Sequence, residues 1–235
     1  MRAIYKRELQ SYFYTPVAYV FMGVFLLLGS IFFIVGNLAA RSGNMLTLLS
    51  NMSYLWMLLS PVLTMRLLTG EKKGGDQLLY SAPVSLTGIV LGKFFAACTV
   101  LMATVALSLV FAALIAIYGT LYVAETAVGY LGFILQGCAF IALDMLVSCF
   151  AKTQTVAAIA SFGVNLAVWL SDILAQAVSV PIITDTLSFL SLYERISPFL
   201  NGQLSLANAL YDLSFIAVML FLCVRVLDAR RWSEA

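Results

Sequence analysis

The sequence predicts an all-α membrane protein that crosses the bilayer six times, with its N and C termini in the cytoplasm. Of its 235 residues, 63% are hydrophobic and 10% are charged, whereas soluble domains are about half apolar and a quarter charged. Uncharged stretches long enough to cross a bilayer recur along the chain, and about 20 apolar residues make one crossing. These observations predict a single transmembrane domain over residues 1–235, surrounded by membrane lipid.

Composition also excludes several classes of function. The net charge of +2 is too small for a nucleic-acid-binding protein. The chain has no histidine, which removes the commonest metal ligand and proton shuttle. Its four cysteines lie in apolar runs without a C-x-x-C pair, so we expect small buried side chains rather than disulfides or a zinc site.

The first element is an amphipathic segment, residues 1–15. One face carries its apolar side chains and the opposite face its polar ones: Ile4, Tyr5, Leu9, Tyr12 and Phe13 against Arg2, Lys6 and Gln10. This pattern predicts a helix that lies along the inner leaflet before Pro16 turns the chain into the first span. The alternative is a frayed basic N-terminus.

Six apolar stretches follow. The first, Val17 to Val35, is longer than the apolar part of a signal peptide, so we expect a retained helix. The predicted spans are Val17 to Val35, Ser42 to Met65, Phe94 to Tyr118, Thr126 to Leu143, Thr153 to Ser171 and about Ser205 to Leu227. The last requires Arg225 to snorkel to one surface while Asp212 sits near the other.

The basic residues predict the orientation of these spans. With both termini inside, eleven basic residues are cytoplasmic: Arg2, Lys6, Arg7, Arg66, Lys72, Lys73, Lys93, Lys152, Arg225, Arg230 and Arg231. Only Arg41 and Arg195 are outside. This asymmetry follows the positive-inside rule and requires an even number of crossings.

The outer segment before the last span, residues 176–204, is apolar but interrupted by prolines and charges. Within it, "VPIITDTLSFLSLYERISPFL" cannot cross the membrane and return as two full helices. Because irregular backbone is tolerated at membrane depth only where protein or a cavity covers it, we predict a re-entrant hairpin or an outer-leaflet helix pair. An ordinary exposed loop is the alternative.

Several motifs bear on chemistry. "GIVLGKF" at Gly88 to Phe94 has the wrong glycine spacing for a phosphate-binding loop, and Phe94 replaces the magnesium-binding hydroxyl. The chain is therefore expected to bind no nucleotide and no other cofactor itself, and Gly88 and Gly92 are expected to allow close helix packing. Asp144 lies at the end of the fourth predicted span. We expect its carboxyl group either to make structural hydrogen bonds or to line the transport path. Asn51 and Asn165 are expected mainly to hold helices together.

The cytoplasmic segment 70–83 between the second and third spans is polar but contains a short predicted helix, "DQLLYSAP". Leu78 and Leu79 project from otherwise polar surroundings. This arrangement is typical of a segment that docks into a groove of another protein.

These residues resemble the permease subunits of ABC-2 type transporters, near the gliding-motility branch. The resemblance is carried by "YKRELQSYFYTPVAYVF" at the N-terminus and by Glu71, Gly74, Leu78, Leu79, Pro83, Val84, Ser85, Gly92 and Lys93. The chain departs from the family at Gly75 and Gln77, where Gly-Thr and a glutamate are common.

The resemblance implies that segment 70–83 is a coupling helix that receives a push from an ATP-binding subunit made as a separate chain. The coupling residues implied are Glu71, Gly74, Gln77, Leu78, Leu79 and Pro83, with Lys72, Lys73 and Asp76 as substitutes for the missing carboxylate. The N-terminal helix and the 151–155 loop would be secondary contacts. ATP and magnesium would bind in two copies of that subunit, and a second permease subunit would complete the path.

The resemblance further implies an exporter in a bacterial plasma membrane, with room for an accessory membrane protein, and no catalytic residue in this chain. Two alternatives remain. One is an ATP-independent channel or secondary transporter, which needs ionisable groups near the midplane or broken-helix repeats. The other is an intramembrane enzyme, although no nucleophile–base pair is readable.

Overall fold

A computed structural model describes residues 1–69, 85–177 and 192–233. These residues form eight α-helices: α1 (Arg2–Tyr14), α2 (Val17–Phe33), α3 (Met45–Thr69), α4 (Leu86–Tyr118), α5 (Val123–Phe150), α6 (Gln154–Ala177), α7 (Leu192–Leu200) and α8 (Leu206–Ser233). A π-helical segment, Ile34–Ala39, continues α2. The described part of the chain contains no strand, so the predicted all-α class is confirmed for it.

Six helices of the described residues are long and apolar enough to cross a membrane. They are α2 with its π-helical extension, α3, α4, α5, α6 and α8. All six predicted spans therefore correspond to helices, and the chain is a multi-pass membrane protein. The side of the membrane on which each end lies remains a prediction.

Two predicted boundaries are wrong because a charged residue lies inside a helix. The prediction begins the third span at Phe94, but α4 begins at Leu86 and carries Lys93 with 1% of its side chain exposed. The prediction ends the fourth span near Asp144, but α5 continues to Phe150 with Asp144 fully buried. Both side chains are hydrogen-bonded within the protein, which makes a charged or polar group tolerable there.

The central helix of the bundle is α5. Two-thirds of its spanning window is buried, against 17% for α6, and α5 contacts α3, α4, α6, α7 and α8. An aromatic cluster from three helices fills one side of the core, with Trp56 edge-on to Phe21 at 5.4 Å and to Phe25 at 5.7 Å, and Phe133 6.1 Å from Trp56. Such edge-to-face pairs add to the burial energy of the rings.

The short helix α7 packs against α5 at Gly132, where a methyl group would lie 2.8 Å from Phe199 Cγ. Gly129 of α5 makes room for α3 instead, since a methyl group there would lie 2.6 Å from Leu46. At nine residues, about 13.5 Å, α7 is too short to span. The predicted re-entrant form of segment 176–204 stays a prediction, because residues 178–191 lie outside the described ranges.

Helix α1 forms as predicted, and its apolar face packs against protein. Ile4 and Tyr12 are buried, and Tyr5 and Phe13 pack on the core. Gly92 of α4 allows this contact, since a methyl group there would lie 3.2 Å from Ile4. Close packing at Gly92 is thereby confirmed, and its partner is α1.

The cysteines meet in pairs. Cys149 of α5 and Cys223 of α8 have their Sγ atoms 3.0 Å apart, and Cys98 of α4 and Cys138 of α5 have theirs 3.6 Å apart. Cys149 and Cys223 are buried, and the other two are half-buried, as expected for small apolar side chains.

Candidate functional site

The predicted coupling residues lie outside the described ranges. Glu71, Lys72, Lys73, Gly74, Asp76, Gln77, Leu78, Leu79 and Pro83 all fall between Thr69, the end of α3, and Ser85, the residue that precedes α4. The structure describes how these two helix ends are held. Ser85 caps α4 by accepting a hydrogen bond from the Gly88 amide at 3.3 Å.

Lys93 joins three helices beside this segment. Its Nζ donates to the backbone carbonyl of Leu67, near the end of α3, and lies 3.4 Å from Oε1 of Glu8 in α1. Leu67 lies in the last described turn of α3. The buried ammonium group therefore bonds to the backbone of α3 and to an acidic side chain of α1 at once.

Helix α1 makes further bonds to the same region. The Tyr12 hydroxyl donates to the Leu63 carbonyl at 2.8 Å, and Arg66 donates to the Thr15 hydroxyl at 3.2 Å. Burial raises the pKa of Tyr12 above its ordinary value, so the hydroxyl keeps the proton that it donates. We call the set Glu8, Tyr12, Leu63, Leu67 and Lys93 the α1–α3–α4 junction.

A second group of polar side chains lies inside the bundle, between α3, α5 and α6. It comprises Ser60, Thr64, Asp144 and Asn165, all at most 1% exposed, and we call it the polar cluster. Ser60 Oγ donates to Asp144 Oδ2 at 2.7 Å, and Thr64 Oγ1 lies 3.4 Å from the same oxygen. Asn165 Nδ2 lies 3.3 Å from Ser60 Oγ.

Pro61 explains why Asn165 is there. A proline at position 61 has no N–H, so the carbonyl four residues earlier, on Met57, loses its helical donor. Asn165 Nδ2 donates to that carbonyl at 3.1 Å. A side chain of α6 thus replaces a missing backbone bond of α3, as membrane helices that contain a proline require.

The structure brings together two of the three polar residues singled out from the sequence. Asp144 and Asn165 share Ser60 as a neighbour, which confirms that both are hydrogen-bonded inside the bundle. Asn51 is half-buried and lies nine residues before Ser60 on α3, about 13.5 Å along the helix. It is not part of the polar cluster.

Sequence reasoning missed the buried role of Lys93 and the burial of Asp212, which is 2% exposed in α8. The predicted position of Asp212 near one membrane surface stays a prediction. The signal for Lys93 was a lone cation inside a run that is otherwise apolar. The signal for Asn165 was Pro61, because a proline within a span predicts a carbonyl that needs a donor from another helix.

The hydrogen bonds of the polar cluster and of the junction hold neighbouring helices together. The polar cluster contains hydroxyls, an amide and one carboxyl, and no group of three or more His, Cys, Asp or Glu side chains able to hold a metal occurs among the described residues. The junction offers a buried cation between three helices.

No family model matches the chain, and no curated protein matches it.

Proposed function

We propose that the chain is the permease subunit of an ATP-driven ABC-2 type transporter, an exporter whose energy comes from a separate ATP-binding subunit. The motif around Leu78 and Leu79 and the N-terminal segment support the family. The six helices that are able to span a membrane support a role in forming a path.

One observation carries the mechanical part of the proposal, the α1–α3–α4 junction. Segment 70–84 connects α3 to α4, and Lys93 bonds to α3 and α1 from the first turns of α4. A displacement of the segment by a partner would therefore move three helices as a unit. Beyond the junction, α3 and α4 both pack against the central helix α5, which gives the motion a route into the bundle.

In this proposal two permease subunits face each other across the path, and two ATP-binding subunits dock on their cytoplasmic loops. ATP and magnesium bind in those subunits. Lys72, Lys73 and Asp76 approach the partner by charge, and Leu78 and Leu79 enter its groove. The membrane is the bacterial plasma membrane.

The alternative is an ATP-independent channel or secondary transporter. The polar cluster favours it to a degree, because a buried aspartate in a membrane helix is a common feature of ion pathways. Asp144 lies six residues from the end of α5, about 9 Å, and so away from the midplane.

The test replaces both docking leucines with aspartate. We expect Leu78→Asp with Leu79→Asp to abolish association with the ATP-binding subunit while the permease still inserts, because two charges cannot enter an apolar groove unpaired. The matched control is Tyr122→Asp with Val123→Asp, which adds the same charges at exposed positions between α4 and α5. Co-purification of the leucine variant at the level of the control would refute the assigned contact.

A further inference from the structure

We propose that the polar cluster is a binding site for one monovalent cation, a proton or a sodium ion, at the carboxyl group of Asp144. This inference does not rest on the proposed function. It follows from the charges of the described side chains around Asp144 and from the hydrogen-bond donors that these side chains supply.

The charge count leaves Asp144 without a neutralising partner. The side chain is fully buried, and neither ion pair recorded between described residues involves it. Its neighbours are Ser60, Thr64 and Asn165, which are all neutral. A carboxylate taken out of water without a counter-charge is strongly disfavoured, so a positive charge is expected to bind with it.

The hydrogen-bond count shows that the cluster has run out of donors. Asp144 Oδ1 and Asn165 Oδ1 are both buried without a partner. The two hydrogens of Asn165 Nδ2 serve the Met57 carbonyl and Ser60 Oγ, and the Ser60 hydroxyl serves Asp144 Oδ2. Thr64 has a single hydrogen, shared between backbone carbonyls and Oδ2.

Turning the Asn165 amide over does not resolve this shortage. The oxygen would then face the Met57 carbonyl, and two acceptors would meet where Pro61 has already removed a donor. Two oxygens with free lone pairs therefore remain in one dry cluster. A water molecule could donate hydrogen bonds to these two oxygens, but it would not neutralise the charge of the Asp144 carboxylate.

A monovalent ion satisfies both counts. A proton on the carboxyl group neutralises Asp144 and converts one orphan acceptor into a donor. A sodium ion neutralises it and takes carboxylate, amide and hydroxyl oxygens as ligands, which hard cations prefer. A divalent ion is excluded by the same count, because one carboxylate would leave an uncompensated positive charge.

The position of the site gives the ion a structural consequence. Asp144 belongs to α5, Asn165 to α6, and Ser60 and Thr64 to α3. Since α6 is the least buried of the six candidate spans, the bound ion would fasten the most peripheral helix to the centre of the bundle. Loss of the ion would loosen that contact.

The test is infrared spectroscopy of the full-length protein in lipid, with any co-purifying subunits, perfused with buffers that contain sodium chloride or choline chloride over a range of pH. Aspartate labelled at the carboxyl carbon identifies the bands. Asp144→Asn removes the site while keeping the side-chain shape. Asp212→Asn is the matched control, since it removes another buried aspartate, on α8.

Two results would support the site and would identify its occupant. For a proton, Asp212→Asn shows a carboxylic acid C=O band at neutral pH that sodium does not alter, and the double variant Asp144→Asn with Asp212→Asn lacks it. For sodium, exchange with choline shifts a carboxylate band and lowers the thermal unfolding temperature of the wild type and Asp212→Asn, but not of Asp144→Asn.

One result would overturn the proposal. Asp212→Asn, which lacks the other buried aspartate, would show at neutral pH neither an acid band of an aspartate nor any response to sodium. If the Asp144→Asn proteins do not fold, Asp212→Asn still decides, because it retains the site.

Discussion

At the scale of single residues, the bond between Asn165 and the Met57 carbonyl shows how one proline sets the requirements of a neighbouring helix. Pro61 removes a donor from α3, and Asn165 of α6 supplies it at 3.1 Å. An amide in a membrane helix is costly unless it is bonded, and an unbonded carbonyl in the same place is costly too. Pro61 therefore creates the need for a donor, and the Met57 carbonyl in turn gives the Asn165 amide a bonding partner.

This relation predicts a specific non-additivity. Asn165→Leu should destabilise the protein by about 1–3 kcal/mol, because it leaves buried partners without a hydrogen bond. In a Pro61→Ala background the cost should be smaller, since the substituted alanine would provide the N–H that the Met57 carbonyl lacks. Unfolding of the four proteins in mild denaturant, arranged as a double-mutant cycle, measures the coupling. Equal costs in both backgrounds would contradict this account of Asn165.

At the scale of elements, the packing of α7 against α5 depends on a glycine in α5. Leu192, Ile196 and Phe199 are buried on one side of this short helix, and Gly132 leaves the space that the Phe199 side chain occupies. Small residues that let helices approach closely are a common device of membrane proteins.

Gly132→Ala should therefore displace α7. The added methyl group would lie 2.8 Å from Phe199 Cγ and closer still to its Cβ, and overpacking of this kind costs about 1–3 kcal/mol. Gly163→Ala on α6 is the control, because nothing lies within 4 Å of its added methyl group and alanine favours a helix by about 1 kcal/mol. Thermal unfolding compares them, and a Gly132→Ala protein as stable as the control would show that α7 packs elsewhere.

The same scale shows what the sequence could and could not predict. Runs of apolar residues located all six spans, since hydropathy reports the helix that lipid requires. The predicted boundaries of α4 and α5 were wrong at Lys93 and Asp144. A search for uncharged stretches ends at a charged residue, and it cannot detect that Glu8 pairs with Lys93 or that Ser60 donates a hydrogen bond to Asp144. Asn165 was found as helix glue, but its partners depend on how three helices pack.

At the scale of the whole molecule, the distribution of basic residues predicts the orientation of the bundle. Lys93 and Glu8 meet at the α1–α3–α4 junction, and Arg66 of α3 bonds to Thr15, directly after α1. The junction thus gathers α1, the end of α3 and the start of α4 at one end. The α2–α3 and α4–α5 connections lie against each other, since the Thr120 carbonyl is 3.1 Å from a methyl group placed on Gly43. These connections follow the opposite ends of α3 and α4 from those at the junction. The positive-inside rule predicts that the junction end faces the cytoplasm.

A reporter fusion tests this orientation. Green fluorescent protein at the C-terminus should fluoresce and alkaline phosphatase there should be inactive, because an even number of crossings returns the chain to the cytoplasm. Alkaline phosphatase inserted after Thr120 should be active. The reverse pattern would show that the junction faces outward, where no cytoplasmic ATP-binding subunit could reach segment 70–84.

The central claim is that this chain works with a separate ATP-binding subunit. The most direct measurement is affinity purification of the wild-type chain from its native membrane in mild detergent, with mass spectrometry of the partners and an assay of ATP hydrolysis. The account predicts a stoichiometric subunit with a phosphate-binding loop and ATPase activity in the purified complex. Recovery of the chain without such a subunit, with transport that follows an ion gradient and persists without ATP, would contradict it.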